Sequence, residues 1–158
     1  MPSCSRILPT VFGLTPCYRI CRIDSHGERW SNLKTMPKRI LVVDDSARVL
    51  NSVKYILESV PDWVVGGEAR NGREAIDKVA SLSPDLVLLD LSMPVMNGLD
   101  AARELSRIRP DLPIIMFTDS PEIASEALMC GCRRVVSKEK VLLLISAIHD
   151  IFAERGTT

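Results

Sequence analysis

The sequence predicts an α/β fold, a doubly wound five-stranded parallel sheet with helices on both faces, and three observations carry that expectation. Past Lys38, strand-like apolar runs alternate with helical patterns five times. Several of those runs, such as Ile40-Leu41-Val42-Val43 and Leu86-Val87-Leu88-Leu89, are continuous Val/Ile/Leu stretches, as strands buried on both faces require. The connections are short, and right-handed crossovers of that length leave little besides a three-layer αβα arrangement. At 158 residues, 46% hydrophobic and 25% charged, the chain suffices for one well-buried core and not for two ordinary domains.

Each element has its own signal. Strands are expected over about 39–43, 63–69, 85–90, 112–117 and 133–137. The first helix is expected to follow Ser46, a good N-cap, with Val49, Leu50, Val53, Ile56 and Leu57 at helical spacing. The second opens with Asn71 and Glu74 as the two ends of a capping box, ahead of Ala75, Ile76 and Val79. The third follows Asn97-Gly98. The fourth starts at Ser120-Pro121, with proline at the first helical position. The last, about 139–154, places Val141, Leu142, Ile145, Ile148 and Ile151 on one apolar stripe.

Composition excludes several classes of function. Net charge is zero, although residues 1–35 hold five basic against two acidic residues and the remainder is correspondingly acidic. No basic stripe with interleaved aromatics occurs, and 4% aromatic content gives little for base stacking, so direct nucleic-acid binding is not expected. No stretch approaches the roughly 18 apolar residues of a membrane span. Cys4, Cys17, Cys21, Cys130 and Cys132 are odd in number and lack a disulfide-framework spacing, which fits a reducing cytoplasm. The run from Ile7 to Leu14 makes a poor signal-peptide core, being short, broken by Pro9 and Gly13, and followed by Pro16. Zinc at Cys4, Cys17, Cys21 and His26 would need a regular spacing and a paired second half, and neither is present.

In a doubly wound sheet the strand C-terminal ends open at one rim, where such folds do chemistry. The predicted ends carry Asp44-Asp45, Asp90, Thr118 and Ser137-Lys138, whereas the second strand ends in unreactive Ala69. Taken singly each has a bland account: an Asp-Asp pair is most often a solvated turn or a helix cap, Thr118 ends a strand, and Lys138 sits on the surface. Taken together they are hard to explain as caps. Clustered carboxylates repel unless a cation holds them, and all-oxygen ligands suit Mg²⁺. Asp90 would then be the nucleophile toward a phosphoryl group, giving an aspartyl phosphate, with Lys138 and the Thr118 hydroxyl stabilising the phosphoryl oxygens.

The segments Ile40-Leu41-Val42-Val43-Asp44-Asp45, Asp85 through Asp90 to Leu91-Ser92-Met93-Pro94-Val95-Met96-Asn97-Gly98, Phe117-Thr118 and Val136-Ser137-Lys138 resemble the receiver domain of two-component response regulators. The resemblance covers about 38–154, and Val65 to Ala75 is similar to receivers that precede helix-turn-helix output domains. It implies a flavodoxin-like fold and Mg²⁺-dependent phosphotransfer to Asp90 from a sensor histidine kinase or a phosphotransfer protein. It also implies a switch on the face of the last two strands, read by a downstream protein or by homodimerisation. By the same resemblance Asp45, Asp90 and the Ser92 backbone carbonyl bind Mg²⁺ directly, and Asp44 acts through water.

Three positions depart from the family pattern. Val135 stands where an aromatic residue usually reports phosphorylation, Asp119 where a small residue usually follows the threonine, and Glu139 where a proline often follows the lysine. A carboxylate at 119 is expected to repel an incoming dianion. Met36-Pro37-Lys38-Arg39-Ile40 reads as the ordinary start of such a protein, so residues 1–35 are expected to be an unstructured or spurious extension ahead of a receiver at 36–158. The chain then reads as a stand-alone receiver and not an enzyme, or else as a fragment of a longer regulator. A haloacid-dehalogenase-type enzyme would want a second acid two residues after the nucleophile, where this chain has Ser92. A phosphorylation-independent scaffold is the other alternative. Cys130, Cys132, Met93 and Met96 are expected to pack, and His149 to lie on a helix surface.

Overall fold

A computed structural model describes residues 36–155. The readings made for residues 1–35, including the apolar run from Ile7 and the Cys4, Cys17, Cys21 and His26 set, lie outside the described residues. Five parallel strands form one sheet in the order β2-β1-β3-β4-β5, from β1 (Lys38–Val43), β2 (Trp63–Ala69), β3 (Leu86–Leu89), β4 (Ile114–Thr118) and β5 (Arg134–Ser137). They alternate with α1 (Ala47–Glu58), α2 (Gly72–Leu82), α3 (Gly98–Ile108), α4 (Ala124–Met129) and α5 (Val141–Arg155).

The period of two along each strand divides the core in half. Leu41 and Val43 of β1, Val87 and Leu89 of β3, and Ile114 and Met116 of β4 face α2, α3 and α4. Ile40 and Val42, Leu86 and Leu88, and Ile115 and Phe117 face α1 and α5. The unbroken apolar runs are therefore two alternating sets, each buried on its own side of the sheet.

Element boundaries differ from expectation where local hydrogen bonding decides them. β4 begins at Ile114, two residues late, because Pro113 has no N–H to donate, although its carbonyl still accepts from Val87 at 3.0 Å. Ser46 occupies the N-cap position of α1 without a side-chain cap, and its N–H instead donates to Asp44 Oδ1 at 2.8 Å. The capping box of α2 is half formed. Asn71 Oδ1 accepts from Glu74 N at 2.9 Å, but the Glu74 carboxylate accepts from Arg70 N, one residue further back.

Ser120-Pro121 opens a 3₁₀ turn over Pro121–Ile123, and the α-helix starts only at Ala124. In α5 the buried residues are Leu144, Ala147, Ile148 and Ile151, while Leu142 is 80% exposed, which corrects the expected stripe. A helix apolar on nearly every side gives periodicity no edge to read.

Candidate functional site

Strand register brings the polar groups together. Val43 pairs with Leu89, so Asp44 and Asp90 leave the sheet side by side, and the Asp90 N–H still reaches the Val43 carbonyl at 2.9 Å. Thr118 pairs with Ser137, and Lys138, next along, donates its N–H to the Thr118 carbonyl at 3.0 Å. Parallel strands place all of these ends at one edge.

At that edge Lys138 Nζ lies 2.8 Å from Asp44 Oδ2 and 3.0 Å from Asp90 Oδ1, with both carboxylates nearly buried. Asp45 is exposed, yet one oxygen of each of Asp44, Asp45 and Asp90 lies within 4.8 Å of the others. One ammonium does not offset three carboxylates at that spacing. Burial pushes the Asp90 carboxyl above the ordinary carboxylate range, Lys138 pulls it partly back, and the Asp44 charge adds to the rise. Burial also opposes the charge on Lys138, but the two carboxylates together outweigh it and hold the ammonium above its ordinary value.

The donor set fits a hard divalent cation. Asp44 Oδ1 is satisfied by the Ser46 N–H, whereas Oδ2 meets the Lys138 ammonium as an ion pair without hydrogen-bond alignment. Among the described residues it is the one buried side-chain oxygen left without a hydrogen-bond donor. Three converging carboxylates, with no sulfur or imidazole in the group, are the donor set that Mg²⁺ takes. Ser92 is exposed two positions past Asp90 on the same loop.

That loop owes its path to Gly98. Its N–H donates to the Leu91 carbonyl at 2.8 Å, and a Cβ there would sit 2.1 Å from the Asp90 carbonyl oxygen, so no other residue lets α3 start so close. Between them Val95 holds φ at +69° with its side chain exposed, a conformation β-branched residues rarely adopt. Met93 and Met96 pack against the α2–α3 side of the core.

Thr118 is buried, and its hydroxyl oxygen accepts the Ser120 N–H at 3.1 Å. Val135 packs half-buried on the core, and Asp119 is exposed. Cys130 and Cys132 are buried in the core, and His149 is exposed with its ring 4.7 Å from that of Trp63. Sequence reasoning missed two features of the site. It assigned Lys138 only to an incoming phosphoryl group and not to the Asp44–Asp90 bridge, and it gave Gly98 no role in shaping the Asp90 loop. The bridge was open to inference, since three strand-end acids crowd one strand-end cation.

Comparison with known proteins agrees with this geometry. The family described as the response regulator receiver domain matches residues 40–149. Chemotaxis protein CheY of Thermotoga maritima is 40% identical over 105 residues, which cover 65% of this chain and 87% of that protein. A protein-glutamate methylesterase/protein-glutamine glutaminase of Methanosarcina mazei is 42% identical over 106 residues, 65% of this chain. The chain spans only 29% of that longer relative. Among solved structures, the response regulator domain of Thermotoga maritima CheB superposes with a TM-score of 0.68 at 30% identity, covering 72% of this chain and 95% of that one.

Proposed function

The chain belongs to the response regulator receiver domain family, and from that premise we propose that it is a phospho-acceptor switch of two-component signalling, loaded on Asp90 by a sensor histidine kinase or a phosphotransfer protein. The observation that carries the reading is the nearly buried Asp90 carboxylate at the sheet rim, 3.0 Å from the Lys138 ammonium and clustered with Asp44 and Asp45. An Asp90 oxygen attacks phosphorus, the bond from phosphorus to the donor imidazole breaks, and the imidazole leaves with the electron pair. Asp44, Asp45, Asp90 and the Ser92 carbonyl would hold Mg²⁺, Asp44 through water, and the bound ion would neutralise charge on the phosphoryl oxygens.

Lys138 already stands beside the nucleophile, so its ammonium passes from the Asp44–Asp90 bridge to a phosphoryl oxygen with little movement. The Thr118 hydroxyl accepts from Ser120 N and retains its own proton to donate to a second phosphoryl oxygen. Near-burial strengthens each of these contacts relative to water. The signal leaves through the face of β4 and β5, to a downstream protein or a second copy of the chain, by a route that does not use an aromatic rotor, because residue 135 is valine. A phosphorylation-independent scaffold is favoured only by Val135 and Asp119.

We assign the chain no turnover chemistry; the methylesterase activity named for the longer relatives belongs to those proteins. Among the described residues no helix is long and apolar enough to cross a membrane, and the cytoplasm is the proposed location. The test is incubation with acetyl phosphate and Mg²⁺ followed by intact mass. Wild-type chain gains one phosphoryl group and Asp90→Asn gains none. A folded wild type that stays unmodified and gives no spectroscopic response to beryllofluoride defeats the reading.

A further inference from the structure

A cavity of about 360 Å³ opens between α1 and the start of α5, on the side of the sheet that those two helices cover. Its apolar wall is Val49, Val53, Phe117 and Val141, and Val49 and Val141 are only half-buried. Apolar surface left partly wet gains from contact with an apolar body. The polar part of the lining is Ser46, Arg48, Ser52 and Lys138, and no carboxylate contributes to it. The Lys138 ammonium is already held by Asp44 at 2.8 Å and Asp90 at 3.0 Å, which leaves its alkyl stem for the cavity. Arg48 is different. It is exposed, and among the described residues its guanidinium has neither an ion pair nor a hydrogen bond. Ser52, one helical turn further on, is exposed with its hydroxyl equally unpartnered, and the Ser46 hydroxyl makes no cap on α1.

We propose that this cavity is a binding site for a small amphipathic anion, a carboxylate carrying a short apolar body. Charge sets the head group. An unpaired guanidinium among hydroxyls, with no acid in the lining, offers a carboxylate two parallel N–H donors and offers a cation nothing. The hydroxyls of Ser46 and Ser52 supply further donors to the same head group. Volume sets the body. The cavity lies at the lower end of the roughly 300–1,000 Å³ of small-molecule pockets, which suits a short chain or a single ring laid against Val53 and Phe117. The occupant rests on the stem of the lysine whose ammonium bridges Asp44 and Asp90, so the cavity adjoins the acceptor rim. Binding there needs no phosphoryl group on Asp90 and makes no covalent bond.

The experiment titrates the full ¹⁵N-labelled chain with octanoate and follows its amide resonances, with octylammonium and 1-octanol as the cationic and neutral counterparts of the same chain length. Octanoate is expected to give saturable shifts confined to α1, Phe117 and the start of α5, and to bind more tightly than either counterpart. Arg48→Gln, on the exposed face of α1, should weaken octanoate about tenfold and leave 1-octanol unchanged. Ser52→Phe, also at an exposed position, puts a ring into the cavity and should abolish binding of both. The wild-type comparison of the three amphiphiles decides the matter even if a variant is lost to misfolding. No saturable response to octanoate overturns the proposal, as do shifts centred on another part of the fold. Equal affinity for octanoate and octylammonium, or an Arg48→Gln protein that binds octanoate as wild type does, overturns it too.

Discussion

Burial of a single thiol gives this protein a pH signature of its own. Cys132, buried beside Cys130 on the α3 side of the sheet, has its thiol pushed from 9.0 up to about 12, by burial first and then by its neighbour. Between those values the unfolded chain has lost a proton that the folded chain keeps, so stability falls as pH rises through that window. At about pH 10 the loss is about 1.4 kcal/mol relative to neutral pH. Urea midpoints at about pH 8 and about pH 10 should therefore diverge more in wild type than in Cys132→Ala; identical pH dependence in the two would refute the assignment. The same burial that raises this thiol keeps it protonated at neutral pH, consistent with a packing role. At the rim, by contrast, Asp90 and Lys138 were legible because chain polarity alone puts strand ends on one edge. The contact of Lys138 with Asp44 Oδ2 and the left-handed Val95 were not, because each depends on how neighbouring atoms close around it.

Among the elements, α5 shows where pattern reading stops. Its sequence is apolar in almost every direction, so the expected stripe included Leu142, which the fold leaves 80% exposed, and omitted Leu144, which is fully buried. The turn over Ser137 to Lys140, closed by Lys140 N on the Ser137 carbonyl at 2.9 Å, delays the helix to Val141 and sets its rotation. Leu144→Ala should cost about 2–5 kcal/mol, the usual range for emptying a core leucine site. Leu142→Ser should change stability by no more than about 0.5 kcal/mol. Chemical denaturation of the two variants distinguishes them, and comparable losses would show the helix rotated from the orientation described. α2 and α3 were easier, since Asn71 and Asn97 each accept the N–H three residues on, at 2.9 Å. A cap motif is local and survives any tertiary arrangement.

At the scale of the whole molecule, stability and function meet in the acidic rim. Crowded carboxylates oppose folding, and an ion that binds only the folded arrangement offsets them by mass action. Mg²⁺ at a hundredfold excess over its Kd should stabilise the wild type by about 2.7 kcal/mol, visible as a rise in Tm. Asp45→Asn should lose most of that rise while folding normally, because Asp45 is exposed and unpaired. An equal Mg²⁺ response in Asp45→Asn would remove that residue from the proposed ligand set. The alternation of elements, the parallel sheet and the edge at which acids, threonine and lysine collect are all readable from the chain alone. These follow from hydrophobic period and chain direction, which are local quantities. Packing in three dimensions sets the rest: that Lys138 bridges Asp44 and Asp90, that Gly98 lets α3 begin against the Asp90 carbonyl, and which side of α5 turns inward. Those depend on distances between segments far apart in the chain, set by strand register and close packing, and no local pattern encodes them.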